Sequence, residues 1–148
     1  MPQKPQVSVI KPNGNSCESS PRVNSLHPGS TLTFGQILHS PGGSVELSID
    51  KDGNLAVYRT IDRVQLWTSG TEGKFTPGIH AILFSNGNFV LRAESGHVWW
   101  HSGTRNLKDP WLTVQDTGFM VIHDGCDPVP KWTTETHNGI KTHMNKPV

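Results

Sequence analysis

Of the 148 residues only two are cysteines and only one is a tyrosine, and no long apolar run occurs anywhere. Cys17 and Cys126 are too few for a disulfide framework and too far apart for a paired metal-ligand motif, which leaves one long-range bridge or two reduced thiols. Without about 18 consecutive apolar residues no segment reads as a membrane-spanning helix. Excess charge is also missing: 13 Lys+Arg stand against 12 Asp+Glu, a formal balance of +1. That balance gives no electrostatic footprint for gripping a nucleic-acid backbone or an anionic bilayer, so neither nucleic acid nor membrane insertion is expected. The opening Met1-Pro2-Gln3-Lys4-Pro5-Gln6 lacks the apolar middle of a signal peptide, leaving either cytosolic synthesis or an export signal already removed.

What is plentiful is turn chemistry. Gly (15) and Pro (11) are set against a hydrophobic fraction of 33%, a composition that favours many short strands over long helices and excludes an all-helical bundle. A chain of this length buries roughly two thirds of its unfolded surface as one domain.

An internal repeat organises the chain. Three segments, residues 50–58, 84–92 and 115–123, align without gaps on their central glycines Gly53, Gly87 and Gly118, at separations of 34 (53 to 87) and 31 (87 to 118) residues. Each is followed by a tryptophan and a hydroxyl-rich turn: Trp67-Thr68-Ser69-Gly70-Thr71, Trp100-His101-Ser102-Gly103-Thr104 and Trp132-Thr133-Thr134-Glu135-Thr136. Three features recurring in phase mark a repeat architecture. Within each repeat a short alternating stretch (45–49, 81–84, 111–114) runs into a Gly-containing turn and then a second apolar stretch, the pattern of a β-hairpin. A third strand would carry each Trp. The expected fold is all-β: three antiparallel sheets of about four short strands, each burying one face and its Trp around a common axis. The repeats fall near 45–71, 80–104 and 111–136 within a domain at 26–137, between a Pro/Ser-rich arm at 1–25 and a polar tail at 138–148. Val7-Ser8-Val9-Ile10 is the one stretch of the arm that could add a strand.

In a strand, residues at i, i+2 and i+4 share a face, which predicts that Asp50, Asp52, Asn54, Ala56 and Tyr58 point the same way. Carboxylate acceptors, an amide, a small apolar surface and a phenol suit the adjacent hydroxyls and C–H face of a sugar. The competing structural reading is that Asp52 and Asn54 build the turn and Tyr58 packs at an edge.

The alternating row, repeated three times and trailed by Trp-Ser-Gly-Thr-like turns, resembles the bulb-type (monocot, snowdrop-like) mannose-binding lectin domain over residues 26 to 137. Leu32-Thr33-Phe34-Gly35-Gln36-Ile37-Leu38, followed by the first repeat, is also similar to lectin domains of S-locus-type plant receptors. The resemblance implies a type II β-prism with pseudo-threefold symmetry, up to three mannose sites, no metal and no cofactor. It implies a non-catalytic lectin whose partners are mannose-containing glycans or glycoproteins.

Carried over by residue, the resemblance places the best-kept site at Asp52, Asn54 and Tyr58. Asp50 stands there for Gln and adds a second carboxylate, which raises one pKa or demands a bridging donor. Ala56 stands for Val and shrinks the apolar contact, by about 1–2 kcal/mol if it is buried on binding. Asn86, Asn88 and Val90 remain of a weaker second site, where Phe84 and Arg92 replace Gln and Tyr, with Arg92 suited to an acidic sugar. The third keeps Gln115 and Val121, but Thr117, Phe119 and His123 replace Asp, Asn and Tyr, and it is expected to be lost. A chain with one working site would gain avidity by oligomerising, a homodimer being the simplest form.

Other constellations fare worse. The positions where a calcium loop of the EF-hand type needs Gly and Glu hold Leu55 and Ile61. His97 and His101 are four apart but fall in a predicted strand and turn, where that spacing does not put both on one ligand face. No nucleophile elbow, phosphate loop or zinc helix occurs, and Asp50 and Asp52 lie side by side and not across a cleft, so no enzyme is expected. The alternative function is a degenerate prism that serves as a scaffold for protein recognition without binding sugar.

Overall fold

The computed structural model describes Arg22 and residues 24–136. Val7–Ile10, Cys17 and the tail at 138–148, on which strand, bridge and tail expectations fell, lie outside the described residues. Cys126 is disulfide-bonded.

Strand β1 covers Ser25–Leu26, β2 Thr31–Thr33, β3 Ile37–His39, β4 Val45–Ile49, β5 Leu55–Arg59 and β6 Gln65–Thr68. The chain continues with β7 His80–Leu83, β8 Phe89–Arg92, β9 Val98–His101, β10 Pro110–Val114, β11 Met120–Asp124 and β12 Trp132–Thr133. They form three four-stranded antiparallel sheets, in the orders β3-β4-β5-β6, β2-β7-β8-β9 and β1-β10-β11-β12. Each repeat therefore supplies three strands of one sheet. The fourth comes from residues 25–39, which deal one short strand to each sheet in reverse order, β1 to the third repeat, β2 to the second and β3 to the first.

The hairpins at the centre of each repeat are alike. Gly53, Gly87 and Gly118 each donate their N–H to the carbonyl three residues back, at 3.0, 2.9 and 2.9 Å, and all three have positive φ. This is a three-residue loop ending in a left-handed residue, where glycine carries no Cβ penalty. At Gly53 (φ +91°) space matters as well, since a Cβ would sit 2.5 Å from the backbone nitrogen of Phe75.

Alternation along the strands sends Leu47, Leu55, Val57, Leu83, Phe89, Leu91, Leu112, Met120 and Ile122 into full burial. On the last strand of each sheet a tryptophan turns inward, and Trp67, Trp100 and Trp132 meet in edge-to-face pairs with centroids 5.2, 5.8 and 6.1 Å apart. That geometry suits the aromatic quadrupole and adds to the area each indole buries. β5 and β8 carry register shifts at equivalent places, between Val57 and Tyr58 and between Leu91 and Arg92. The extra residues are Leu66 on β6 and Trp99 on β9, so the bulge lies on the Trp-bearing strand, opposite the step to Tyr58 or Arg92.

Gly53→Ala and Gly29→Ala separate the two demands on glycine. Both positions have positive φ, but a Cβ at Gly29 meets nothing within 4 Å. We expect Gly53→Ala to cost more than Gly29→Ala by about 1–3 kcal/mol in denaturant unfolding, because only the former drives a Cβ into backbone.

Candidate functional site

Residues 50–54 form the hairpin turn between β4 and β5, so the strand alternation expected of Asp50, Asp52 and Asn54 does not apply to them. Asp50 is its keystone. One carboxylate oxygen accepts the N–H groups of Asp52 (2.9 Å) and Asn54 (3.1 Å), and the other accepts the phenol O–H of Tyr58 at 3.1 Å. These are the bridging donors that a second carboxylate on this face requires.

Asn54 is almost wholly buried. Its Oδ1 accepts from the backbone N–H of Thr71 (2.7 Å) and from the Thr68 hydroxyl (3.1 Å). A backbone N–H can only donate, so the amide orientation is fixed and Nδ2 remains a donor with no partner among the described residues. Ser69 and Thr71 complete the clamp: the Ser69 hydroxyl accepts from Leu55 N–H at 3.0 Å, and Thr71 donates its hydroxyl proton to Gly53 O at 2.7 Å. The same clamp recurs in the second repeat through Asn88, Ser102 and Thr104. Burial of this network gives the Ser-Gly-Thr turns a structural reason to recur.

The Asp52 carboxylate is exposed and makes no hydrogen bond or ion pair among the described residues. Ala56 has no accessible surface. It pairs across to Ser48 and Thr68 in the middle of the sheet, so the apolar contact expected from it is not offered in this structure. Tyr58 is half-buried, and burial first, then the charge and hydrogen bond of Asp50, push its phenol above the ordinary value against the opposing pull of Arg63.

Arg63 is a neighbour that sequence reading missed. Its guanidinium lies 4.6 Å over the Tyr58 ring and pairs with Glu46 at 2.9 Å, the cross-strand partner of Tyr58. Beside them an open groove of about 230 Å³ runs between Asp50, Tyr58 and Arg63 on one side and Phe34, Gln36 and Ile37 on the other. Phe34 and Ile37 are about half exposed, and Phe34 meets Phe75 edge-on at 5.0 Å. Phe34 sits in the turn linking β2 to β3, and only the pairing of β3 with β4 brings that turn beside Asp50, so no local signal marked it.

At the second repeat Asn86, Asn88 and Val90 do come together, with Phe84, Arg92 and Arg105 around an open pocket of about 330 Å³. At the third, Gln115 and Thr117 flank Asp116, whose carboxylate is held by the Ser40 and Ser44 hydroxyls at 2.6 and 2.9 Å. His123 lies flat on Trp111 (centroids 4.1 Å, 22°), under Arg22, which reaches over the same indole at 4.6 Å and pairs with Asp109. Among the described residues no cluster of His, Cys, Asp and Glu could hold a metal ion.

A prism of three four-stranded antiparallel sheets defines a class, the β-prism lectins. The comparisons agree. A Polygonatum cyrtonema lectin solved with a monomannoside is 30% identical, matching 77% of this chain and 97% of that one at a TM-score of 0.61. An Allium sativum lectin is 30% identical over 69% of this chain and 94% of its own, TM-score 0.62. A monomeric monocot mannose-binding lectin from Gastrodia elata is 29% identical over 76% and 95%, TM-score 0.66. No protein-family model matches. In sequence, a G-type lectin S-receptor-like serine/threonine-protein kinase of Arabidopsis thaliana is 28% identical over 119 residues, and the chain spans 14% of that relative's length. The chain belongs to the bulb-type lectin family. It is a carbohydrate-binding lectin domain and not an enzyme.

Two outcomes follow from this geometry. Asn54→Ala leaves the Thr71 N–H without its acceptor and is expected to destabilise the domain by about 1–3 kcal/mol in denaturant unfolding, so its effect on ligands must be read together with stability. Burial, and secondarily the Arg22 charge, hold the His123 pKa below its ordinary value. The unfolded chain then binds the proton first. The stabilisation is complete above about pH 6.5 and is lost as pH falls toward the lower native value. The thermal midpoint should decline between pH 7.5 and 5.5, and His123→Gln should flatten that decline. Asp116 and Asp127, with pKa values lowered mainly by hydrogen bonds from Ser40 and Lys131, act only in a more acidic window.

Proposed function

We propose that the first repeat is the working sugar site and that it takes mannose-type glycans. The observation that carries this reading is that one turn holds both the exposed Asp52 carboxylate and the fixed Nδ2 of Asn54, neither with a partner among the described residues. One sugar hydroxyl both donates and accepts, and this pair answers both needs. Tyr58, its proton given to Asp50, still offers oxygen lone pairs, and the open groove beside it leaves room for a pyranose edge. The solved relatives include a Polygonatum lectin with a monomannoside and a Tarin lectin with trimannose, which supports mannose as the first sugar to try. Asp50 serves as the keystone of the site, and Ala56, buried in the sheet, offers the sugar no surface.

A second reading, the prism as a scaffold for protein recognition, draws on one observation: the exposed Phe34–Phe75 pair beside Ile37 makes an apolar rim that a monosaccharide does not cover. Asp52→Asn distinguishes the two, because its side chain supports no other contact. In calorimetric or NMR titration with methyl α-mannoside we expect the wild type to saturate in the millimolar range and Asp52→Asn to bind at least about tenfold more weakly at unchanged stability. Equal binding by the two proteins, or no response from the folded wild type, overturns the first-repeat reading.

A further inference from the structure

The pocket on the second sheet differs from the first groove in the sign of its hydrogen-bonding groups. Asn86 Oδ1 accepts the backbone N–H of Asn88 at 3.0 Å, and Asn88 Oδ1 accepts those of Gly103 and Thr104 at 2.8 and 3.3 Å. Backbone N–H groups fix both amides, leaving each Nδ2 as a donor without a partner among the described residues. Arg92 gives Nε to His80 Nε2 at 3.0 Å, while His80 Nδ1 faces Gly78 O at 2.8 Å. With Nε2 accepting and Nδ1 donating, that imidazole is neutral and is no counter-ion to anything. The remaining nitrogens of Arg92, and all of Arg105, make no hydrogen bond or ion pair among the described residues, and no carboxylate lines the pocket.

Apart from His101, whose Nδ1 faces Asn88 Oδ1 at 3.4 Å, the polar side chains on the pocket, Asn86, Asn88, Arg92 and Arg105, turn donors to it, two of them cationic. A neutral sugar hydroxyl needs an acceptor as well as a donor, and the acceptors Asp52 and Asp50 provide in the first repeat have no counterpart here. Two uncompensated guanidinium groups around about 330 Å³ repel each other, and an anion between them removes that repulsion. Guanidinium forks match carboxylate and sulfate oxygens in pairs. Arg92 is held 5.1 Å over the Phe84 ring, and Val90 supplies an apolar surface for a sugar's C–H face.

We propose that the second-repeat pocket binds an acidic sugar, its carboxylate or sulfate taken by Arg92 and Arg105 and its ring hydroxyls by the Nδ2 groups of Asn86 and Asn88. The proposal rests on the lectin fold but not on the first-repeat site, so either can fail alone.

The test is a titration of isotope-labelled protein, followed by NMR, with methyl β-glucuronide and with methyl β-glucoside, which differ only in carboxylate against hydroxymethyl. The glucuronide should produce saturable shifts at Asn86, Asn88 and Val90, and the glucoside none. Arg105→Gln, an exposed position with no contact to lose, should weaken glucuronide binding at least about tenfold. Asp52→Asn should leave it unchanged. A galactose 6-sulfate arm identifies the preferred anion, and saturation by either acid sugar at these residues supports the proposal. Equal shifts with glucuronide and glucoside, silence of a folded sample toward both acid sugars at tens of millimolar, or glucuronide binding indifferent to Arg105→Gln overturns it.

Discussion

Three indoles meeting edge to face on one axis are the constraint on which the prism depends. Each sheet ends in a strand that turns its Trp inward, and the three rings pack into one core with Phe89, Met120 and the buried leucines of all three sheets. A Trp core of this kind fixes the relative setting of the three sheets while leaving their outer faces free to vary, because the faces are built from turns and bulges and not from the axis. The repeats could therefore diverge in chemistry without losing the fold.

The divergence is visible in the turn network. Asn54 and Asn88 each use their carbonyl oxygen to hold the turn that follows the Trp and present their amide nitrogen outward. The same residue thus serves stability and recognition, and its persistence in two repeats is explained by the first role alone. In the third repeat Phe119 stands at this position, and the hydroxyl contact persists without it, Thr134 accepting the Met120 N–H as Ser69 accepts that of Leu55. On the same sheet His123 stacks on Trp111, with Arg22 over that indole.

The two remaining faces have opposite character. The first carries carboxylates, an amide and a phenol, and the second carries amides and guanidinium groups with no carboxylate lining its pocket. Both rest on the same hairpin and on the same bulge in the Trp-bearing strand, which lies opposite Tyr58 in one sheet and Arg92 in the other. A change of ligand class in this scaffold needs only the side chains at a few outward positions, since the backbone that aims them is held from the inside.

The sequence by itself determined the three repeats, their hairpins at Gly53, Gly87 and Gly118, the buried Trp of each and the all-β class, because these are local patterns with a two-residue period and obligatory turn chemistry. It also made Asp52, Asn54 and Tyr58 legible as a group. Only the tertiary structure decided how residues 25–39 are dealt out, one strand to each sheet in reverse order, since strands of two or three residues carry too little pattern to name their partners. That long-range pairing brings Phe34 and Ile37 beside Asp50. Cross-strand packing sets Arg63 over Tyr58 and buries Ala56, and a loop beyond the second Trp carries Arg105 to Arg92. Contacts made across sheets and loops depend on which elements become neighbours, and the local pattern of side chains does not encode that.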